Sequence, residues 1–208
     1  MAIVVGIDPG NGGAIAIYDS VKRDVVGDIM DMPIWYQSMG TTKRKQRDGS
    51  YKSIQRKRAR IDGYALAEVF ERFEMLGVEL ITMEAVGGRT GESGSGSFQF
   101  GYGVGMLYMA SLYTGIPLET VPPQAWKQKL NVPGKAKADD TAILQRASEI
   151  LPNCVAQFRG PKGGAKVDRA EAALIAKYGA DFVLPTVDLS GDREAAVINS
   201  MTNADTGA

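Results

Sequence analysis

The chain opens on a nearly unbroken apolar run, Ile3 to Ile7, that ends on Asp8. Pro9, Gly10, Asn11, Gly12 and Gly13 follow, and apolar residues resume at once in Ala14 to Tyr18. This pattern predicts strand, tight turn, strand: a β-hairpin that opens a sheet. Asp24 to Met32 predicts a third strand, ended by Pro33. Ile34 to Met39 reads as a short aromatic connection carrying Trp35 and Tyr36. The period then changes. Ile61, Tyr64, Ala65, Leu66, Val69, Phe70, Phe73 and Leu76 recur at three- and four-residue spacing, an amphipathic helix that Gly77 stops. Val78 to Met83 predicts a buried strand that delivers Glu84 at its end. Residues 87–96 are loop by their glycine and serine content.

Phe98 to Tyr113 predicts a helix despite Gly101, Gly103 and Gly105, each of which costs about 1 kcal/mol relative to alanine in a helix interior. The alternation in FQFGYGVG leaves a strand open for its first half. On a helix, Gly101 and Gly105 share one face, where a neighbouring helix or a second subunit has room to approach. Ile116 to Val121 is a short strand. Pro122 and Pro123 end it and open a helix from Gln124 to Leu130. Residues 131–138 form a turn, and a helix runs from Asp139 or Asp140 to Leu151. Residues 152–166 are loop. Val167 to Tyr178 is the last strong helix, docked on the sheet by Ala172, Leu174, Ile175 and Tyr178. The order of elements is α/β. Residues 1–180 are expected to form one domain, with a basic insertion at about 40–60, followed by an acidic tail over 181–208.

Composition narrows the chemistry. The apolar fraction of 44% suits a globular core. No apolar run approaches the ~18 residues of a membrane span, and the first ten residues lack the basic start of a secretory leader. No membrane association is expected. Cys154 is the single cysteine, so no internal disulfide forms and a cytoplasmic location fits. Histidine is absent. That removes Ser-His-Asp and Cys-His catalysis and, with one cysteine, the usual zinc sites. Carboxylates, lysines, hydroxyls and hard oxygen-seeking cations remain.

The formal net charge of zero conceals an asymmetry. Nine of the 24 basic residues and one of the 24 acids fall within residues 41–60. They are Lys43, Arg44, Lys45, Arg47, Lys52, Arg56, Lys57, Arg58 and Arg60, with Tyr51 and Ile54 between them. A basic segment on an acidic body suggests a loop or arm that contacts a polyanion, nucleic acid first. A solvated, solubilising loop is the plainer alternative.

Two predicted strands end in acids, Asp8 and Glu84, where ligands collect in open α/β sheets. Asp168 and Glu171 are three residues apart near the positive end of the last helix. Read singly, Asp8 is a turn cap and the helix acids are dipole partners. Together, four acids that converge repel one another, so one or two divalent cations would have to hold them.

The chain resembles the RuvC-like Holliday junction resolvases of the ribonuclease H-like superfamily. The resemblance rests on GIDPGNGG at 6–13, ITMEA at 81–85, VPPQAWKQKL at 121–130 with KAKADD after it, and VDRAEAALIAKYG at 167–179. It implies a five-stranded mixed sheet flanked by helices, a homodimer, and magnesium-dependent symmetric nicking of four-way DNA junctions, with manganese as a substitute metal. It also implies that Asp8, Glu84, Asp168 and Glu171 are catalytic and hold the metal. Lys127 and Lys137 resemble positions that neutralise the scissile phosphate, with Lys135 able to stand in for Lys137. The implied reaction is in-line hydrolysis by two cations, giving a 5′ phosphate and a 3′ hydroxyl. Three departures stand out. Glu171 replaces a frequent Asp. The loop after Glu84 carries Arg89 where the family often has an aromatic wedge, and the next aromatic is Phe98. The basic segment is larger than usual and resembles the added arms of viral members.

Other classes fit less well. Sugar kinase and actin-like ATPases also begin with an Asp–Gly hairpin, but they need a second nucleotide-binding half. A nuclease for branched DNA in general or for RNA–DNA hybrids shares the same metal site. A nuclease-dead DNA-binding module would not need all four acids.

Overall fold

A computed structural model describes residues 2–87, 93–132 and 140–187. The opening hairpin forms as expected, from β1 (Ile3–Asp8) and β2 (Ala14–Asp19), paired antiparallel from Ile3↔Asp19 to Asp8↔Ala14. The third strand is corrected. It is two short pieces, β3 (Asp24–Val25) and β4 (Met30–Asp31), both against β2. Gly27 breaks it by taking a positive φ of +70°, a conformation that interrupts extended pairing. Gln157 then occupies the break, accepting from Ile29 N–H and donating to the Gly27 carbonyl.

The aromatic connection and basic loop are also corrected. They form one antiparallel ribbon, β5 (Ile34–Lys45) and β6 (Tyr51–Ile61). Both faces of its outer half are exposed, so no apolar alternation marks it as strand in the sequence. The arm is thus real, but it is sheet rather than loop.

Asp62 caps α1 (Gly63–Met75), accepting from the N–H groups of Tyr64 and Ala65. Leu66, Phe70 and Phe73 are its buried face, while Tyr64 and Leu76, assigned inward from spacing, point to solvent. β7 (Val78–Glu84) pairs parallel with β1. The helix α2 (Gly94–Thr114) begins earlier than expected, because Ser93 caps it. β8 (Leu118–Val121) lies parallel to β7. The remaining helices are α3 (Pro123–Lys129), α4 (Asp140–Ile150) and α5 (Val167–Tyr178). A 3-10 helix spans Pro152–Phe158, within the segment read as loop.

The central sheet has the order β3–β2–β1–β7–β8, with β4 also on β2. It is therefore a mixed sheet of five strand positions, one of them split. Side chains alternate across a strand. On β1, Ile3, Val5 and Ile7 pack towards α1 and α2, while Val4 packs towards α3, α4 and α5. Gly6 lies on the second face, and there α5 comes down to the backbone of β1. A Cβ at Gly6 would overlap the main chain of Ala172 and Ala176. This contact sets the height of α5 on the sheet. The core on that face includes Ala170, Ala172, Ala173, Leu174, Ile175 and Ala176, so α5 is buried nearly all round. No helix among the described residues is long and apolar enough to cross a membrane.

Candidate active site

Strand alternation decides where the first two acids go. Asp8 follows Val4 and Gly6 on the α5 face of β1. Glu84 follows Leu80 and Thr82 on the same face of β7, and the register Ile7↔Met83 makes Asp8 and Glu84 the next neighbours. The close seating of α5 over Gly6 brings its first turn above them. As a result, carboxylate oxygens of Asp8, Asp168 and Glu171 all lie within 4.8 Å of one another.

Glu84 stands just outside this trio. Its Oε1 accepts a hydrogen bond of 3.0 Å from the indole N–H of Trp126, a fully buried residue of α3. Its charge still reaches Asp8 and Glu171. The Lys127 ammonium is 3.1 Å from Glu171 Oε1 and lies over the Trp126 ring. One short helix therefore orients one acid and neutralises another.

The electrostatics are those of a cation site. Burial first, then the charges of Glu171, Asp168 and Glu84, push the Asp8 carboxyl up to about 8. Burial also raises Glu171, against the opposing pull of Lys127. Hard carboxylate oxygens this close together, with the Lys127 ammonium beside Glu171, could hold a divalent cation. Asp8, Asp168 and Glu171 would hold the ion, with Glu84 beside them.

Among solved structures, the chain is similar to T. thermophilus RuvC in complex with a Holliday junction substrate. That likeness has a TM-score of 0.50 and 15% identity, and covers 88% of this chain and 96% of the other. The chain has the RuvC fold. A further Thermus thermophilus RuvC structure matches at 18% identity over 85% of this chain and 95% of its own, with a TM-score of 0.45. No protein-family model and no curated protein matches the sequence. The ribonuclease H-like α/β arrangement expected from the sequence is thus present.

Within the RuvC fold the other predicted residues are dispersed. Lys43, Arg44, Lys45, Lys52, Arg56, Lys57, Arg58 and Arg60 lie on the ribbon strands, and Arg47 lies in the turn between them. Arg89, Lys135 and Lys137 fall outside the described residues. Cys154 is buried, donates to Asp24, and is pushed up to about 11, chiefly by burial; its thiol stays protonated.

Sequence reading missed two sets of residues. Trp126 was one, although a tryptophan on a short helix beside the sheet needs a partner for its N–H once buried. The other is Asp31. It accepts from Arg169 at 2.6 and 3.0 Å and from Lys166 at 3.0 Å, which pins the start of α5 to β4. Nothing in their spacing announces that pairing.

Proposed function

We propose that this protein is a structure-selective endonuclease that resolves four-way DNA junctions by symmetric, metal-dependent nicking. The observation that carries the reading is the convergence of Asp8, Asp168 and Glu171 at the strand ends of a RuvC fold. Bound magnesium would supply Lewis-acid activation of water and stabilise the departing 3′ oxygen. Asp8, Asp168 and Glu171, with Glu84 beside them, would hold the cations. Trp126 keeps Glu84 aimed at the cleft. Lys127 holds Glu171 in place while the site is free of DNA, and it is within reach of an incoming phosphate. Hydrolysis leaves a 5′ phosphate and a 3′ hydroxyl.

Among the described residues there is one such cluster, and symmetric nicking requires two. The exposed apolar stripe of α2 supports a homodimer. Phe98, Tyr102, Met109 and Tyr113 are 69%, 53%, 63% and 81% exposed. Gly101 and Gly105 lie among them with open space above. The basic ribbon supplies the polyanion contact, so binding weakens steeply with salt.

The test is cleavage of a labelled four-way junction in magnesium, beside linear duplex and an RNA–DNA hybrid. Paired nicks are expected in the junction alone. They vanish in Asp8→Asn and on adding chelator, while junction binding persists. Cleavage of the hybrid, or of a flap, as well as the junction makes the protein a broader nuclease. Tight binding with no cleavage of any substrate overturns the catalytic reading.

A further inference from the structure

The ladder of the ribbon gathers its arginines on one face, with Lys52 among them. Paired residues on antiparallel strands share a face, and successive residues alternate. β6 carries no extra residue, so Lys52, Arg56, Arg58 and Arg60 share one face. Arg44 joins them through its pairing with Lys52. The single bulge, between Ser38 and Thr41, keeps Lys43 and Lys45 with Ser53 and Tyr51, on the face of Lys57. Every arginine of the ladder is therefore on one face, and Lys43, Lys45, Lys57 and Tyr51 are on the other.

The arginine face is anchored beside the turn that follows Asp8. Arg60 donates to Gln37 at 2.6 Å and to Gln99 of α2. Asn11, three residues past Asp8, donates to the Ala59 carbonyl at 3.1 Å. Arg58 lines a cavity of about 350 Å³ with Gly10, Asn11, Gln99 and Phe100. Beyond it Arg56, Lys52 and Arg44 are exposed. Alternate residues of a strand repeat every ~6.7 Å, so Arg60, Arg58 and Arg56 form a row that starts next to the Asp8 turn, and beyond Ile54 it continues in the cross-strand pair Lys52 and Arg44. Guanidinium groups suit phosphate because they bind it in bidentate fashion. A free two-stranded ribbon is marginal in water, which suits an arm that rests on a partner in use.

We infer that the arginine face of the ribbon is a strand guide. It grips the phosphates of the DNA arm leading out of the carboxylate cluster, and the lysine and tyrosine face is turned away from that arm. The inference rests on the nuclease reading for the substrate, but its test is independent of cleavage.

Two double variants of equal charge separate the faces: Arg44→Gln with Arg56→Gln, and Lys43→Gln with Lys57→Gln. Binding of the full chain to a fluorescent four-way junction is followed by anisotropy in magnesium-free buffer from 50 to 200 mM salt, with melting curves to check folding. The arginine pair is expected to weaken binding at least about tenfold and to lower the slope of log affinity on log salt by about 2, one unit per lost phosphate contact. The lysine pair should change affinity less than about twofold and leave the slope alone. Equal losses overturn the inference, because the ribbon then acts by net charge alone. No loss from the arginine pair overturns it as well. Wild type that cleaves no substrate, with the face difference intact, sinks the nuclease reading and leaves the guide standing.

Discussion

Asp8 and Glu84 occupy equivalent strand ends but are held differently. Asp8 is buried beside Glu171, Asp168 and Glu84, and its carboxyl is pushed up by burial first and then by their charges. Glu84 is restrained by a neutral donor, the Trp126 indole. The restraint makes Trp126 a positioning residue whose effect can be separated from packing. Trp126→Phe keeps most of the buried bulk and removes the donor. The expected result is a 10- to 100-fold slower single-turnover cleavage at limiting magnesium, partly recovered at high magnesium. Junction affinity should stay within about twofold. A rate that falls equally at all magnesium concentrations would mean the indole matters only for packing. At this scale the acids were legible in the sequence, because an acid after an apolar strand is conspicuous. Their partner was not, because Trp126 sits within a run of ordinary helix residues and nothing local says which oxygen its N–H meets.

The elements bring these residues together through two contacts on α5. One is the apolar seat over Gly6. The other is the double grip of Arg169 and Lys166 on Asp31. Hydrogen bonds from Arg169 first, and then from Lys166, hold the Asp31 carboxyl below the usual carboxylate range. A lowered folded value contributes stability that is present above the unfolded pKa of about 3.9 and is lost as pH falls through the folded value. Asp31 is 44% exposed, so solvent screening limits the contribution to about 1 kcal/mol. Asp31→Asn is expected to lower the melting temperature by roughly 2–4 °C at pH 7. The gap should close as pH falls below the unfolded value, and a gap that persists in acid would show that the pair is not its source. The two central strands were readable as apolar runs because both of their faces are buried, and α1 was readable as a helical period because it buries one face. The ribbon was not, because a strand that buries neither face leaves none. The split third strand was missed because the positive φ at Gly27 depends on what fills the gap behind it.

For the whole molecule the open question is what covers the apolar stripe of α2. A second copy is the occupant that symmetric nicking requires. Gly105→Glu tests it without harming the helix, since there is open space above Gly105 and glutamate is the better helix former. Wild type should scatter light at twice the 22.3 kDa chain mass, and the variant at the chain mass, with paired nicking lost. A variant that stays dimeric would move the interface elsewhere. The sequence by itself determined the α/β class, the opening hairpin, the strand-end positions of Asp8 and Glu84 and the basic segment. Each of these is written in local order, as an apolar period, a terminal residue or a run of one charge. Only the tertiary structure decided that Asp8 and Glu84 share a face, that α5 sits close enough to complete the cluster, that Trp126 answers Glu84, and that every arginine of the ribbon ladder falls on one face. Those facts depend on register and on the approach of backbones far apart in the chain, and no local pattern encodes either.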